Sequence, residues 1–283
     1  MGYTSTDWDF SVSSKYKLLD LKLRELIRYR DLIFMFFWRD FVTTYKQTIL
    51  GPLWHIISPL CSTFVYAFVF GNIAGIGTGG IPSLLFYYGG TMLWTYFSGC
   101  LSNASTIFLT NSEVFGKVYF PRLSVPIATT FSALFKMIIQ FVMLMSFLVF
   151  FVVTGNPVRP SLWALLFPVM VFWFGALGTG CGMIFSALTT KYRDLTHVLA
   201  LGLQLAMYVT PVVYPLSQVP EKFSIFFYIN PLSAPMELFR IWFYGVGSVP
   251  NKMILTSVAS TVFIVVFGLA LFNKTERTFL DVV

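Results

Sequence analysis

Hydrophobic and polar positions along this chain fall into two textures. Over residues 16–30, Leu19, Leu23, Leu26 and Ile27 recur at helical spacing, with Lys22, Arg24 and Arg28 elsewhere on the wheel. That is the pattern of a basic amphipathic helix lying in a membrane interface. Beyond it, polar residues retreat to short interruptions between long apolar runs. Residues 32–38 read LIFMFFW, too short to cross a bilayer but apolar enough to keep an elbow attached to one. Six later segments, near 53–74, 84–108, 123–153, 162–188, 197–214 and 253–272, could each span the roughly 30 Å of hydrocarbon that takes about 20 helical residues. The fifth is the shortest, and Pro211 interrupts its end; the third has length to spare for tilt or extension beyond the lipid.

Two interruptions are more than simple connections. Arg39, Asp40 and Lys46 precede Gly51-Pro52, and Trp54 and His55 open the apolar run that follows. Proline is tolerated in a first helical turn, where its missing N–H has no intrahelical partner, and amphipathic rings favour the membrane–water boundary. The stretch therefore reads as a charged approach from the cytoplasm, a break, and a spanning helix. Residues 210–250 carry Pro211, Pro215, Pro220, Pro231, Pro235 and Pro250, with apolar pieces at 223–229 and 236–244 between them. Pieces that short cannot span and predict two re-entrant or interfacial helices. The expected fold is an all-α integral membrane protein: a polar tail and amphipathic helix over 1–30, then a six-span domain over 31–283.

Composition agrees. Of 283 residues, 57% are hydrophobic and 11% charged, against about 25% charged in a soluble domain. Strands of a barrel would alternate over ten-residue segments, and no such alternation is present. Cys61, Cys100 and Cys181 all lie within apolar runs, without metal-ligand spacing, so they predict packing rather than a disulfide framework or a metal site. The first 30 residues hold no apolar run before a small-residue cleavage site, so no cleaved leader is expected.

The net charge of +7 is read through its placement. With an even number of spans both termini share a side, which carries fourteen Lys and Arg residues against four on the other. The excess predicts cytoplasmic termini. Lys136, the remaining basic residue, falls inside the third span.

Little in the chain can do covalent chemistry. The nearest approach to a phosphate-binding loop runs from Gly268 to Thr275, with Asn273 where glycine must let the backbone close on phosphate. No cofactor is expected on this chain, and no nucleic-acid partner. His55 and His197 both lie at the cytoplasmic ends of predicted spans, where interfacial hydrogen bonding outweighs catalysis. Asn103-Ala104-Ser105 is a formal glycosylation sequon inside a span.

Lys136 is the sharpest single feature. A charge that deep costs about 3 kcal/mol on insertion scales and faces a cavity or a partner; Gln140 lies one turn on, along the same face. Two readings stand: a substrate-facing role, or a lysine that snorkels or bonds a neighbouring carbonyl. Aromatic residues make up 19% of the chain. Rings such as Phe64, Tyr66 and Phe68 in the first span and Tyr208 in the fifth can stack on sugar faces with few fixed hydrogen bonds, or can simply pack against lipid.

Arg39-Asp40, Tyr45-Lys46-Gln47 and Leu50-Gly51-Pro52-Leu53-Trp54 closely resemble the start of the permease subunits of ABC-type polysaccharide exporters. Phe120-Pro121-Arg122, Tyr192-Arg193-Asp194, Thr210-Pro211-Val212-Val213-Tyr214-Pro215, Asn230-Pro231-Leu232 and the tail from Asn273 resemble the same family, from about residue 30 to the end. Such subunits move lipid-linked O-antigen, capsule or teichoic acid chains across the bacterial cytoplasmic membrane. The resemblance implies a homodimer with two ATPase subunits, working on a lipid-linked polysaccharide, O-antigen foremost. It implies an ATPase-coupling segment of Glu113, Phe115, Lys117, Tyr119 and Arg122, and an outer gate holding Pro215, Pro220, Phe223, Asn230 and Pro231. It makes Arg39, Asp40, Lys46, Trp54, Tyr192, Arg193 and Asp194 the cytoplasmic approach. The path is assigned to Phe64, Tyr66, Phe68, Lys136, Gln140 and Tyr208. Two alternatives weigh less. An exporter of drugs or small lipids with the same architecture lacks the wording around Trp38–Trp54. A membrane-bound glycan transferase needs clustered acids or histidines, and the outer side offers Glu221 and Glu237 as its carboxylates.

Overall fold

The computed structural model describes residues 23–46, 48–112, 115 and 120–282. All regular structure among them is helical. In chain order the helices longer than one turn are α1 (Leu23–Arg28), α2 (Arg30–Tyr45), α3 (Trp54–Tyr66), α4 (Ser83–Ser105), α5 (Ser124–Val153), α6 (Phe167–Thr189), α7 (Leu195–Val209), α8 (Ser224–Ile229), α9 (Ser233–Tyr244) and α10 (Asn251–Val282), with a single helical turn, Ile107–Thr110, between α4 and α5. Four stretches among the described residues are long and apolar enough to cross a membrane: Gly51–Ile73, Ser124–Val153, Leu162–Thr189 and Asn251–Glu276. They coincide with the first, third, fourth and sixth predicted spans.

The break before the first span is where the sequence puts it. Gly51 takes a positive φ of 48°, a 3-10 turn Gly51–Leu53 follows with Pro52 in its first positions, and α3 begins at Trp54. The chain then continues past Tyr66 in a π-wound stretch, Ala67–Ile73. On the near side of the break, 32–38 is not a separate anchor. It is the first half of α2, which runs unbroken through Arg39 and Asp40 to Tyr45. Phe37 and Phe41 meet Phe135 of α5 with ring centroids 6.2 and 5.1 Å apart, so α2 is packed along the bundle. Of the amphipathic helix predicted over 16–30, residues 16–22 lie outside the described residues.

The second and fifth predicted spans differ from the other four in an informative way. α4 has the length but not the apolarity, because Tyr, Thr, Ser and Gly interrupt it. It is the central helix, packed against α3, α5 and α6, with Leu85, Tyr87, Tyr88, Met92 and Leu93 inaccessible to solvent. A helix enclosed by protein need not be apolar all round. α7 spans Leu195–Val209, about 22 Å at 1.5 Å per residue, because Thr210 is driven to an extended backbone before Pro211.

Small residues set how closely the helices approach, as expected where hydrocarbon gives no hydrophobic drive to association. Gly178 of α6 lies so near α4 that a Cβ there would stand 2.7 Å from the Phe97 carbonyl oxygen. On the opposite side of α6, Gly180 meets Val265 and Gly268 of α10. Polar pairs also tie α6 to its neighbours: the Thr130 hydroxyl of α5 and the Thr179 hydroxyl of α6 are 2.7 Å apart, and Trp173 Nε1 donates to Thr261 Oγ1 of α10 at 2.9 Å. α10 continues as a helix through the tail to Val282, since nothing from Asn273 onward breaks it.

The connection from α7 to α9 is fastened by a charge pair. Glu237 and Arg240, one turn apart on α9, are each 3% exposed and 2.6 Å apart. Arg240 also donates to the carbonyls of Pro211, Val212 and Tyr214, while Glu237 accepts from the Leu216 N–H at 3.0 Å. Its guanidinium lies 4.1 Å from the Phe86 ring centroid on α4. α9 ends on Gly245, φ 74°, where a Cβ would press on the Arg159 carbonyl.

Candidate functional site

Thr129, Ser132, Lys136 and Gln140 recur every three or four residues on α5 and form one polar stripe on a largely apolar helix. Two cavities open along it. The larger, about 510 Å³, lies between α2, the far end of α4 and α5, and takes Arg39, Asp40, Tyr45, Asn111 and Lys136 among its walls. The smaller, about 150 Å³, lies between α3, α4, α5 and α7 and is bordered by Trp54, Ser62, Tyr66, Trp94 and Gln140.

In the larger cavity Asp40 is already matched. Arg39 donates to its carboxylate from Nε at 3.2 Å and Nη2 at 2.9 Å, and reaches Asn111 Oδ1 at 3.3 Å. Lys136, half-buried, makes no hydrogen bond and no close ion pair among the described residues; Asp40 is the opposite charge that acts on it. The Tyr45 hydroxyl is buried without a partner, and burial pushes that phenol above its ordinary pKa. In the smaller cavity Gln140 is 2% exposed and its Oε1 has no partner.

The predicted path residues separate into three places. Phe64 on α3 and Phe68 in the π-wound stretch that continues it, one turn apart, are both exposed. Tyr66 turns the other way, its hydroxyl 3.8 Å from Met207 Sδ on α7, and it joins Gln140 at the smaller cavity. Lys136 belongs to the larger cavity. Tyr208 lies exposed on α7 beside a run of apolar residues including Val198, Leu201 and Leu205, and its carbonyl accepts from the Tyr214 hydroxyl at 2.7 Å.

The approach residues also divide. Arg39 and Asp40 line the larger cavity and Trp54 the smaller, while Lys46 is exposed at the end of α2. Tyr192, Arg193 and Asp194 form an exposed turn between α6 and α7, with Lys191 Nζ 5.2 Å from the Tyr192 ring centroid.

Glu113, Lys117 and Tyr119 of the predicted coupling segment lie outside the described residues. Its other two members are buried. Phe115 packs with Phe108 and Phe120, and Arg122 donates to the Glu276 carbonyl at 2.5 Å with its guanidinium over the Phe115 ring. The segment is thus fastened to α10, 154 residues along the chain.

At the opposite end, Pro215 and Pro220 precede short 3-10 turns, and Phe223 is exposed. Asn230 donates to Thr210 Oγ1 at 3.0 Å and accepts from the Leu232 N–H, while the Pro231 carbonyl accepts from Ser257 on α10. The sequence reading has Glu237 as an outer carboxylate and does not pair it with Arg240. Their signal was an opposite-charge pair at i, i+3 inside the apolar run MELFRIWFY.

A bundle of long apolar helices, wedged together by glycines and carrying polar cavities within it, is the frame of a membrane permease. Residues 31–244 match the ABC-2 type transporter family, and the chain belongs to that family. Membership implies an ATP-binding partner subunit. The chain is 29% identical to an O-antigen export system permease protein RfbA of Klebsiella pneumoniae, over 93% of this chain and 100% of that protein. A second Klebsiella pneumoniae protein of that name is 27% identical over 89% of this chain and 95% of its own length. One from Myxococcus xanthus is 26% identical over 78% of this chain and 84% of its own.

Proposed function

We propose that this chain is the membrane subunit of an ATP-driven exporter that carries a lipid-linked polysaccharide, O-antigen foremost, across the bacterial inner membrane. The observation that carries this reading is the end-to-end similarity to permeases named for O-antigen export. The exposed ring-bearing faces of α3 and α7 support it further. Phe64, Phe68 and Tyr208 stand on surfaces that no other part of the described chain covers, and rings of that kind hold sugars through individually modest contacts. A second copy of the chain would enclose those faces as a path.

In this arrangement α4 and α7 complete six crossings, both termini face the cytoplasm, and α8 and α9 dip into the outer leaflet as a gate. The buried Phe115 and Arg122 would hold the coupling segment against two ATPase subunits, which alone bind ATP and Mg.

Deletion of the gene in its host tests the reading. The expected result is loss of surface polysaccharide with lipid-linked polymer accumulating in the cytoplasmic leaflet, both restored by a plasmid copy. Unchanged surface polysaccharide would overturn it.

A further inference from the structure

The cavity between α2, α4 and α5 holds more positive charge and more unused donors than a packing defect would. We propose that it is a binding site for the phosphate of a lipid whose headgroup also carries hydroxyls. A lysine at this depth costs about 3 kcal/mol unless it meets water or an anion. Lys136 lies roughly 18 Å along α5, at 1.5 Å per residue from Ser124. Among the described residues its three N–H donors are unused. Asp40 does not answer that need, because Arg39 grips it from two nitrogens. Two cations and one carboxylate leave the cavity with one excess positive charge. Tyr45, whose buried hydroxyl has no partner among the described residues, is also part of the wall.

The walls also explain the hydroxyls. Thr110, Thr129 and Ser132 donate to carbonyls of their own helices, at 2.7, 3.0 and 3.2 Å. Thr129 and Ser132 have oxygen lone pairs left to accept, while Thr110 already accepts from Asn111 Nδ2 at 3.4 Å; such acceptors suit glycerol or sugar hydroxyls and do not suit a trimethylammonium group. At about 510 Å³ the space far exceeds the ~30 Å³ share of one water. Phe37 and Phe41 line it where an acyl stem would pass, and Phe34 and Trp38 keep the outer side of α2 apolar. Two lipids share this chemistry: phosphatidylglycerol of the bilayer, and a polyprenyl-phosphate-linked sugar. The site depends on the chain lying in a membrane, not on the cargo assigned above.

The test is native mass spectrometry of the full-length protein in detergent. It is titrated separately with dioctanoyl phosphatidylglycerol, dioctanoyl phosphatidylcholine and a short-chain polyprenyl-pyrophosphate-linked sugar. One adduct per chain is expected with phosphatidylglycerol or the polyprenyl ligand, and the tighter of the two identifies the source. Lys136→Gln should weaken that adduct at least about tenfold, the loss of a charge-assisted hydrogen bond. Asp40→Asn, which frees Arg39, should leave it as tight or tighter, so a general loss of folding is told apart from loss of the site. Equal binding of phosphatidylcholine, absence of both anionic adducts, or wild-type binding by Lys136→Gln would each overturn the proposal. A gene deletion that left surface polysaccharide unchanged would sink the export reading while leaving this measurement standing.

Discussion

Glu237 and Arg240 show what a buried charge requires. Each is almost wholly removed from solvent, and each is matched by the other and by the backbone of residues 211–216. Removing one partner strands the other, at a cost of about 3–5 kcal/mol. Arg240→Met should therefore lower the thermal midpoint of the detergent-solubilised protein sharply, while Glu237→Met with Arg240→Met recovers part of the loss. An unchanged midpoint in the single variant would show that the pair contributes nothing. The aromatic residues make a different demand. Tight ionic clamps would raise a release barrier at every sugar repeat, whereas a ring contact is worth about 0.5–1.5 kcal/mol. Alanine at Phe64, Phe68 and Tyr208, all exposed, should reduce surface polysaccharide several-fold at normal expression. If the triple variant exports normally, the rings face lipid, and the polar cavity at Gln140 becomes the better wall.

At the scale of elements, α8 and α9 follow from where proline falls. Pro220, Pro231 and Pro250 bound pieces of six and twelve helical residues, Ser224–Ile229 and Ser233–Tyr244, roughly 9 and 18 Å long and short of a bilayer. Their attachment is not left to lipid: Asn230 holds Thr210, and the Pro231 carbonyl takes the Ser257 hydroxyl of α10. Glu221 stands exposed in the turn between α7 and α8. Glu221→Cys, in a Cys61→Ser background because Cys61 is itself exposed, should react with an impermeant thiol reagent added outside intact cells. Labelling confined to opened cells would reverse the assigned orientation of the whole bundle.

The whole molecule, as a member of its family, works with an ATP-binding partner subunit. Its one long stretch resembling a phosphate-binding loop lies in α10, a membrane helix, and holds Asn273 in place of the needed glycine. Purified alone, the chain should therefore turn over no ATP, and adding the ATPase subunit should restore hydrolysis. Stoichiometric turnover in a preparation shown free of other subunits would refute this. The link from Arg122 to Glu276 joins the proposed coupling segment to α10, so movement forced on that segment would be carried into a spanning helix.

The helical class, the four most apolar spans, the break at Gly51-Pro52 and the two short helices were legible in the sequence. Apolar run length and the placement of proline and glycine are local properties, and each acts through the backbone of its own segment. Tertiary structure decided what those properties leave open. α4 reads as one span among six, yet its Tyr, Thr and Gly lower its hydropathy and it is the core, since protein rather than lipid surrounds it. Lys136 and Gln140 share a helix face and read as one feature, but α2 and α3 divide that face into two cavities. Phe64, Tyr66 and Phe68 looked alike until α7 took Tyr66 inward and left the other two outside. Glu237 and Arg240 were two stray charges until the backbone of 211–216 closed on them. In each case the deciding partner is remote in sequence, and no periodicity within one helix records which neighbour will face it.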